Sequence, residues 1–280
     1  MQLRSGIPRI AAVDQLQQDE LYRTHVQYNR TFLARHGQAL AGYGRHWGQD
    51  PFQLWSRRWE YPFAAQHTID FARQQQSGRM KILDAGSGVT YFPYFLCDHL
   101  PHADVICVDS DKSYHEMFAA INRNTDHQRV SFVEAMLQKL PLKDGGVDAV
   151  CCISVLEHTD NYAEIIREFA RVLRPGGLLV LTFDLSLDGK FPLSKKTAAD
   201  LLENVTREFH PVDAVDLHQQ LQAMDDTAEI LSTNHVRRTE PHLLPWKYPL
   251  AKAVHDLIKG HGWTGGFRSK SVFCLDCRRK

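Results

Sequence analysis

The stretch K81-I-L-D-A-G-S-G-V-T90 begins as a buried strand, meets an acid, and then loses its side chains twice within three residues. Ile82 and Leu83 start a short apolar strand that ends at Asp84 and Ala85. Gly86 and Gly88 let the backbone turn tightly and approach a ligand, and the helix that follows points free N–H groups at the same place. In an open parallel sheet, ligands bind beyond the carboxyl ends of the strands, where strand order reverses. Taken alone, D-x-G-x-G is also an ordinary strand-to-helix turn. A second acid gives it weight. Asp109 closes the next strand, D104-V-I-C-V-D109, 25 residues after Asp84, where a carboxylate accepts both hydroxyls of a ribose.

Working outward, strands alternate with amphipathic helices from residue 79 onward, the pattern of a mostly parallel sheet covered on both faces. Thr90 is placed to cap a helix over Y91-F-P-Y-F-L96, and Ser113-x-x-Glu116 has the capping-box spacing for the next one. V130-S-F-V-E134 and V147-D-A-V-C-C-I-S-V155 read as strands three and four. A helix over 161–173 carries apolar residues at 162, 165, 166, 169, 172 and 173, and R174-P-G-G177 stops it before strand five, L178-L-V-L-T-F183. A helix over about 195–207, a strand near A228-E-I-L-S-T233 and a last strand, S271-V-F-C-L-D-C277, complete the domain. The stretch between Thr239 and Gly266, rich in Pro, His, Trp and Gly, reads as an insertion. Residues 1–78 differ in texture, with helix-like segments broken by Gly42, Gly44, Gly48, Pro51 and Pro62 and no strand alternation.

Composition narrows the function. The chain has 280 residues, 43% of them hydrophobic, and a formal net charge of +0. It can bury a substantial core. A nucleic-acid partner normally leaves a basic footprint, and there is none in the overall balance. The first twenty residues hold no continuous apolar run and nothing approaches a membrane span, so the sequence predicts a cytoplasmic protein without a membrane partner. The six cysteines lack the spacing of a disulfide framework. Cys274 and Cys277 fall in a strand, where a period of two sends their thiols to opposite faces. The 15 histidines do not pair at ligand spacing with other strong ligands, so no metal site is expected.

The motifs L83-D-A-G-S-G88, I106-C-V-D109, L140-P-L142, V147-D-A-V-C-C-I-S-V-L-E-H158 and R171-V-L-R-P-G-G-L-L-V-L181 resemble, in order, those of class I S-adenosylmethionine-dependent methyltransferases. The likeness is to the common small-molecule type whose strand-four motif ends in Glu-His. It implies a Rossmann-like, doubly wound, mostly parallel seven-stranded sheet at 79–280 and a helical N-terminal lid and substrate region at 1–78. It also implies S-adenosylmethionine as cofactor. Asp84, Gly86 and Gly88 would lie beneath its methionine part, Asp109 at the ribose, Ser110 beside the adenine, Met136 and Leu137 flanking that ring, and Ser154 under the sulfur. The chain departs from the pattern twice: Thr90 stands where a third glycine is common, and Met136 where an acid often meets the adenine amino group.

Methyl transfer from a sulfonium is an in-line displacement in which the protein positions the nucleophile and excludes water. A small-molecule acceptor with an O-, N- or C-nucleophile is expected. Where a base is needed, His158, Asp184 and His235 at the ends of strands four to six are placed to supply it, though each also has an ordinary role as cap, loop acid or surface residue. In S56-R-R-W-E-Y-P-F63, Trp59 and Tyr61 offer aromatic faces to a sulfonium, and Arg58 or its neighbour Arg57 could meet the cofactor's carboxylate. The competing reading of this segment is plain packing. Other readings are an enzyme of the same fold that spends the cofactor by cyclisation or aminocarboxypropyl transfer, a nicotinamide oxidoreductase (Tyr91 occupies the third glycine position of G-x-G-x-x-G), and a binder without turnover. The sequence leaves the oligomeric state open.

Overall fold

The computed structural model describes residues 1–43, 50–75, 78–125, 128–189, 193–212, 216–222, 229–244, 254–255, 257–258 and 268–280. Seven strands form one sheet: β1 (Met80–Ala85), β2 (Ala103–Asp109), β3 (Val130–Glu134), β4 (Val147–Ile153), β5 (Leu173–Ser186), β6 (Phe209–Pro211) and β7 (Lys270–Arg279). Their order across the sheet is β3-β2-β1-β4-β5-β7-β6. The first five run parallel, and β7 is antiparallel to both β5 and β6. The order reverses between β1 and β4, so the crevice lies at the carboxyl ends of these two strands.

The alternation of the strands feeds two cores. Ile82, Cys151, Val180 and Cys274 pack on one face, and Leu83, Cys152, Leu181 and Cys277 on the other. Cys274 and Cys277 thus diverge as a period of two requires. All six cysteines are buried and unpaired. The second face is covered by α6 (Tyr162–Val172) and α7 (Lys195–Glu208), whose buried residues recur every three or four positions. The first face carries α4 (Phe92–His99), α5 (Tyr114–Asn122) and, against the middle of the sheet, α3 (Arg57–Gln74). Helices α1 (Ile10–Gln18) and α2 (Glu20–His36) lie on that layer, and two short helices, α8 (Leu217–Gln222) and α9 (Thr233–Thr239), precede β7.

Several sequence expectations change. Residues 57–74, read as part of a lid, are a core helix: Trp59, Glu60, Tyr61, Phe63, Ala64, Thr68 and Phe71 are all buried. The sixth strand is Phe209–Pro211, too short to show alternation, and not the segment near 228–233. There Ile230 and Ser232 make only single bridges, to Arg9 and Ser271, because the Ser232 side chain accepts the His235 N–H and starts α9. Thr90 does accept the Phe92 N–H at 3.3 Å, but Ser113 makes no cap, and the Asp111 carboxylate takes the Ser113 N–H instead. Most of the expected insertion at 239–266 lies outside the described residues. Its start forms a helical turn, Pro241–Leu243.

The N-terminal residues strap the outer edge of β7. Gly6 bridges Cys274, protecting backbone groups that an uncovered edge would expose. Asp276, 3% exposed, accepts the Ser5 hydroxyl at 2.8 Å and faces His67 Nδ1 at 2.9 Å, while His67 Nε2 lies 2.8 Å from the Leu3 carbonyl. His67 and the Ser5 hydroxyl together hold the Asp276 carboxyl below its usual range against the opposing pull of burial. Asp276→Ala is expected to cost about 3–5 kcal/mol in urea unfolding, the range for removing one partner of a buried pair. A loss below about 1 kcal/mol, typical of an exposed pair, would show that the strap is held by other contacts.

Candidate functional site

The carboxyl ends of β1, β2 and β4 open into a cavity of about 480 Å³, which also draws on α3 and on Tyr43. Its floor is the glycine turn. Gly86 and Gly88 have φ of +70° and +52°, and the Gly86 N–H is bonded to the Val108 carbonyl at 2.7 Å. A Cβ on Gly86 would lie 2.5 Å from the Val155 side chain, and one on Gly88 would lie 2.3 Å from the Tyr43 hydroxyl. Side chains are therefore excluded twice over, by conformation and by space.

Asp109 ends β2 with its carboxylate at the cavity wall, accepting the Gly88 N–H at 3.1 Å and the Asp111 N–H at 3.3 Å. Ser110, Met136 and Leu137 line the wall beside it, and Met136 is 59% exposed. An apolar side chain left that open beside a carboxylate suits a flat ring joined to a diol. Asp84 lies under the turn, where burial and then Asp109 push its carboxyl up to about 7.

The side of the cavity facing α3 is built on a buried charge pair. Glu60 is 0% exposed and accepts from Arg57 Nη1, the Ser154 hydroxyl and the Thr182 hydroxyl, each at 2.6 Å. Burial alone would raise the Glu60 carboxyl, but Arg57 and the two hydroxyls outweigh it and keep the group ionised. Ser154, at the end of β4, has φ of +49°, the only non-glycine in the left-handed region among the described residues. Its N–H bonds to the Thr182 carbonyl at 2.9 Å and its hydroxyl to Glu60, so two partners hold the strained conformation. Arg57 and Tyr61, one helical turn apart, share the helix face that lines the cavity.

That face settles the α3 candidates. Tyr61 lines the cavity, whereas Arg58 and Trp59 are turned away by the helical rotation and border a separate cavity with Trp55, His235 and Glu240. Arg58 is engaged there by Glu240 at 2.7 Å and by the Phe52 carbonyl at 2.9 Å. Arg57, not Arg58, lines the cavity that the glycine turn opens into. His235 sits with Arg58, removed from the candidate site. His158 does line the main cavity, and its imidazole is held below its usual pKa chiefly by burial. Asp184 stands behind the wall, 6% exposed and paired with Lys270. Glu60, Glu157 and Tyr43 were not singled out in the sequence. Glu60 carried no signal there, being one acid in a helix buried all round.

Comparison with known proteins bears on the domain and its fold. Residues 83–181 match the model of the methyltransferase domain family. A Mycobacterium tuberculosis protein described as a probable S-adenosylmethionine-dependent methyltransferase is 36% identical over 101 residues, covering 36% of this chain and 34% of the relative. The human thiol S-methyltransferase TMT1A is 34% identical over 104 residues, 36% of this chain and 41% of its own length. The chain thus spans about a third of the length of the first of these relatives and about two fifths of the second. Among solved structures, a geranyl diphosphate methyltransferase bound to geranyl diphosphate and sinefungin superposes with a TM-score of 0.54 at 16% identity, over 80% of this chain and 79% of that one. The fold is that of the class I S-adenosylmethionine-dependent methyltransferases. Within it, residues 83–181 are the part that resembles the methyltransferase domain family.

Two glycines separate clash from conformation. Gly176 has φ of +71° and no atom within 4 Å of the point where a Cβ would stand, whereas Gly86 at nearly the same φ meets Val155. Gly176→Ala is expected to cost about 1–2 kcal/mol, the left-handed penalty alone. Gly86→Ala should cost clearly more in the same unfolding measurement. Equal costs would mean that Val155 yields and the turn is not tightly held.

Proposed function

We propose that this protein transfers a methyl group from S-adenosylmethionine to a small-molecule acceptor. The observation that carries the reading is the convergence of the side-chain-free turn at Gly86–Gly88 and the Asp109 carboxylate on one cavity. The residues present fit the cofactor. The glycine cradle admits a chain close to the backbone, Asp109 can accept the ribose hydroxyls, and Met136 and Leu137 can flank the adenine in place of an acid. Asp84 beneath the turn suits an ammonium, which would hold its carboxyl ionised, and Arg57 suits a carboxylate.

When bound, the cofactor supplies an electrophilic methyl on a sulfonium. The chain's own residues do the rest. Glu60 fixes Arg57 and Ser154 in the wall, and Leu54, Ile153 and Ile165 give the cavity an apolar lining that excludes water. His158, kept neutral by its burial, is placed to take a proton from an acceptor that must lose one. The names of the thiol and geranyl diphosphate enzymes support a small acceptor without choosing its nucleophile. A cytoplasmic setting accords with six unpaired thiols and with the lack, among the described residues, of any helix long and apolar enough to cross a membrane. Residues 10–43 and 50–54, which bring Tyr43, Pro51 and Leu54 to the rim, would take the role of cover that the sequence assigned to all of 1–78.

Calorimetry is expected to detect binding of S-adenosylhomocysteine, and Asp109→Ala should weaken it by about 1–3 kcal/mol, roughly 5- to 150-fold, without unfolding the protein. No heat with S-adenosylhomocysteine but a response to NAD would overturn the assignment. The product separates methyl transfer from other uses of the cofactor: S-adenosylhomocysteine should accumulate on turnover, and methylthioadenosine would indicate the alternative. Hydrogen exchange should slow across α2 and residues 50–54 on adding S-adenosylhomocysteine. Unchanged exchange would leave that region as scaffold.

A further inference from the structure

Behind His158 lie two buried acids that make no contact with the cofactor cavity. Glu157 is 2% exposed and Asp184 6% exposed; Glu157 lies in the helical turn Leu156–His158 that follows β4, and Asp184 lies in the neighbouring strand β5. Glu157 Oε1 accepts the Asp184 N–H at 3.3 Å, so the Glu157 carboxyl is seated against residue 184. Asp184 Oδ2 is taken by Lys270. One oxygen of each acid, Glu157 Oε2 and Asp184 Oδ1, is buried with no hydrogen-bond partner among the described residues. Two ionised carboxylates in this position would leave two orphan acceptors and a mutual repulsion, each costly in a dry interior. A proton on Glu157 removes the repulsion and leaves a single buried carboxylate, the one that Lys270 already balances.

The surrounding charges agree. Around Glu157 are Arg57 and Glu60 on α3, Asp184 on β5, the neighbouring His158, Cys152 on β4 and Tyr162 on α6, with Lys270 of β7 on the far side of Asp184. Arg57 is balanced by Glu60 and Lys270 by Asp184. With Glu157 neutral, the cluster carries two matched pairs and no excess. Burial and then Asp184 push Glu157 up to about 8, which supports the same assignment.

We infer that Glu157 is protonated beside the ionised Asp184, and that this seated, neutral acid is a positioning device for His158. The inference rests on the reading of His158 as the proton acceptor in the wall of the cofactor cavity. Glu157 and His158 belong to one helical turn, Leu156–His158. Anchoring Glu157 on residue 184 sets the direction in which His158 leaves that turn. Neutrality of Glu157 also matters electrically. Asp184 already draws the His158 imidazole towards its charged form, and a second carboxylate would strengthen that pull and remove the base.

The test needs no acceptor. Infrared difference spectra of the unliganded full chain at pH 7, wild type against Glu157→Gln, are expected to show a protonated-carboxyl carbonyl band that the variant lacks. In the wild type this band should titrate away around pH 8. Stability supplies the second readout. An acid whose folded pKa is raised loses its stabilising contribution as pH rises from the unfolded value, about 4.3, through the folded one. The thermal midpoint of Glu157→Gln relative to wild type should therefore climb between pH 5 and pH 8. If Glu157→Gln fails to fold, Asp184→Asn provides the reading, since removing the neighbouring charge should move the loss of the band to lower pH. Absence of the band in the wild type, or a midpoint difference that does not change with pH, would show Glu157 to be an ordinary ionised partner of Arg57. If S-adenosylhomocysteine binds while the band is absent, only the acid pair fails. If the band is present and S-adenosylhomocysteine does not bind, the cofactor reading fails instead.

Discussion

The structure turns on one carboxylate. Glu60 sits in the interior between α3 and the sheet, where an isolated charge would be far too costly to bury. It is tolerated because three donors converge on it: the Arg57 guanidinium and the hydroxyls of Ser154 and Thr182, all at 2.6 Å. Charge-assisted bonds of this length are the strong ones. Each of the three donors belongs to a different part of the molecule: α3 itself, the end of β4, and β5. One side chain thus ties the N-terminal region to the middle of the sheet at the edge of the crevice.

The geometry of the site follows from that tie. Ser154 keeps a left-handed backbone at the end of β4, which turns the chain towards the Leu156–His158 helical turn and so towards both Glu157 and His158. Arg57 is drawn down to Glu60 on the face of α3 that also presents Tyr61 to the cavity, leaving Arg58 and Trp59 on the other side. The glycine turn and Asp109 stand at the ends of the parallel strands β1 and β2. The wall opposite them depends on Glu60. An apolar residue in place of Glu60 would leave Arg57 uncompensated, so the buried pair is a specificity device as much as a source of stability.

The half of the site made by β1 and β2 was legible in the sequence because its signals are local. Asp84, Gly86, Gly88 and Asp109 owe their places in the cavity to strand ends and a turn, and neighbours in sequence define both. The Glu-His ending of strand four was visible for the same reason. On α3 the reading failed at Arg58 and Trp59, and physics explains why. Residues 59–65 are buried on every side of the helix, so its first turns carry no polar stripe that would tell residue 57 from residue 58 by periodicity. His235 was misplaced because the strand expected before it is only two bridges and a cap. A three-residue strand such as Phe209–Pro211 leaves no alternation to find.

The cavity proposed for the cofactor is floored by the glycine turn and walled by the Glu60-held face of α3. A crystal structure of the chain grown with S-adenosylhomocysteine tests it most directly. The ribose hydroxyls are expected on the Asp109 carboxylate and the amino-acid end of the ligand between the Gly86 turn and Arg57, with Glu60 still bonded to Ser154. Ligand density in the cavity beside Arg58 and Trp59, or a ribose without contact to Asp109, would contradict it.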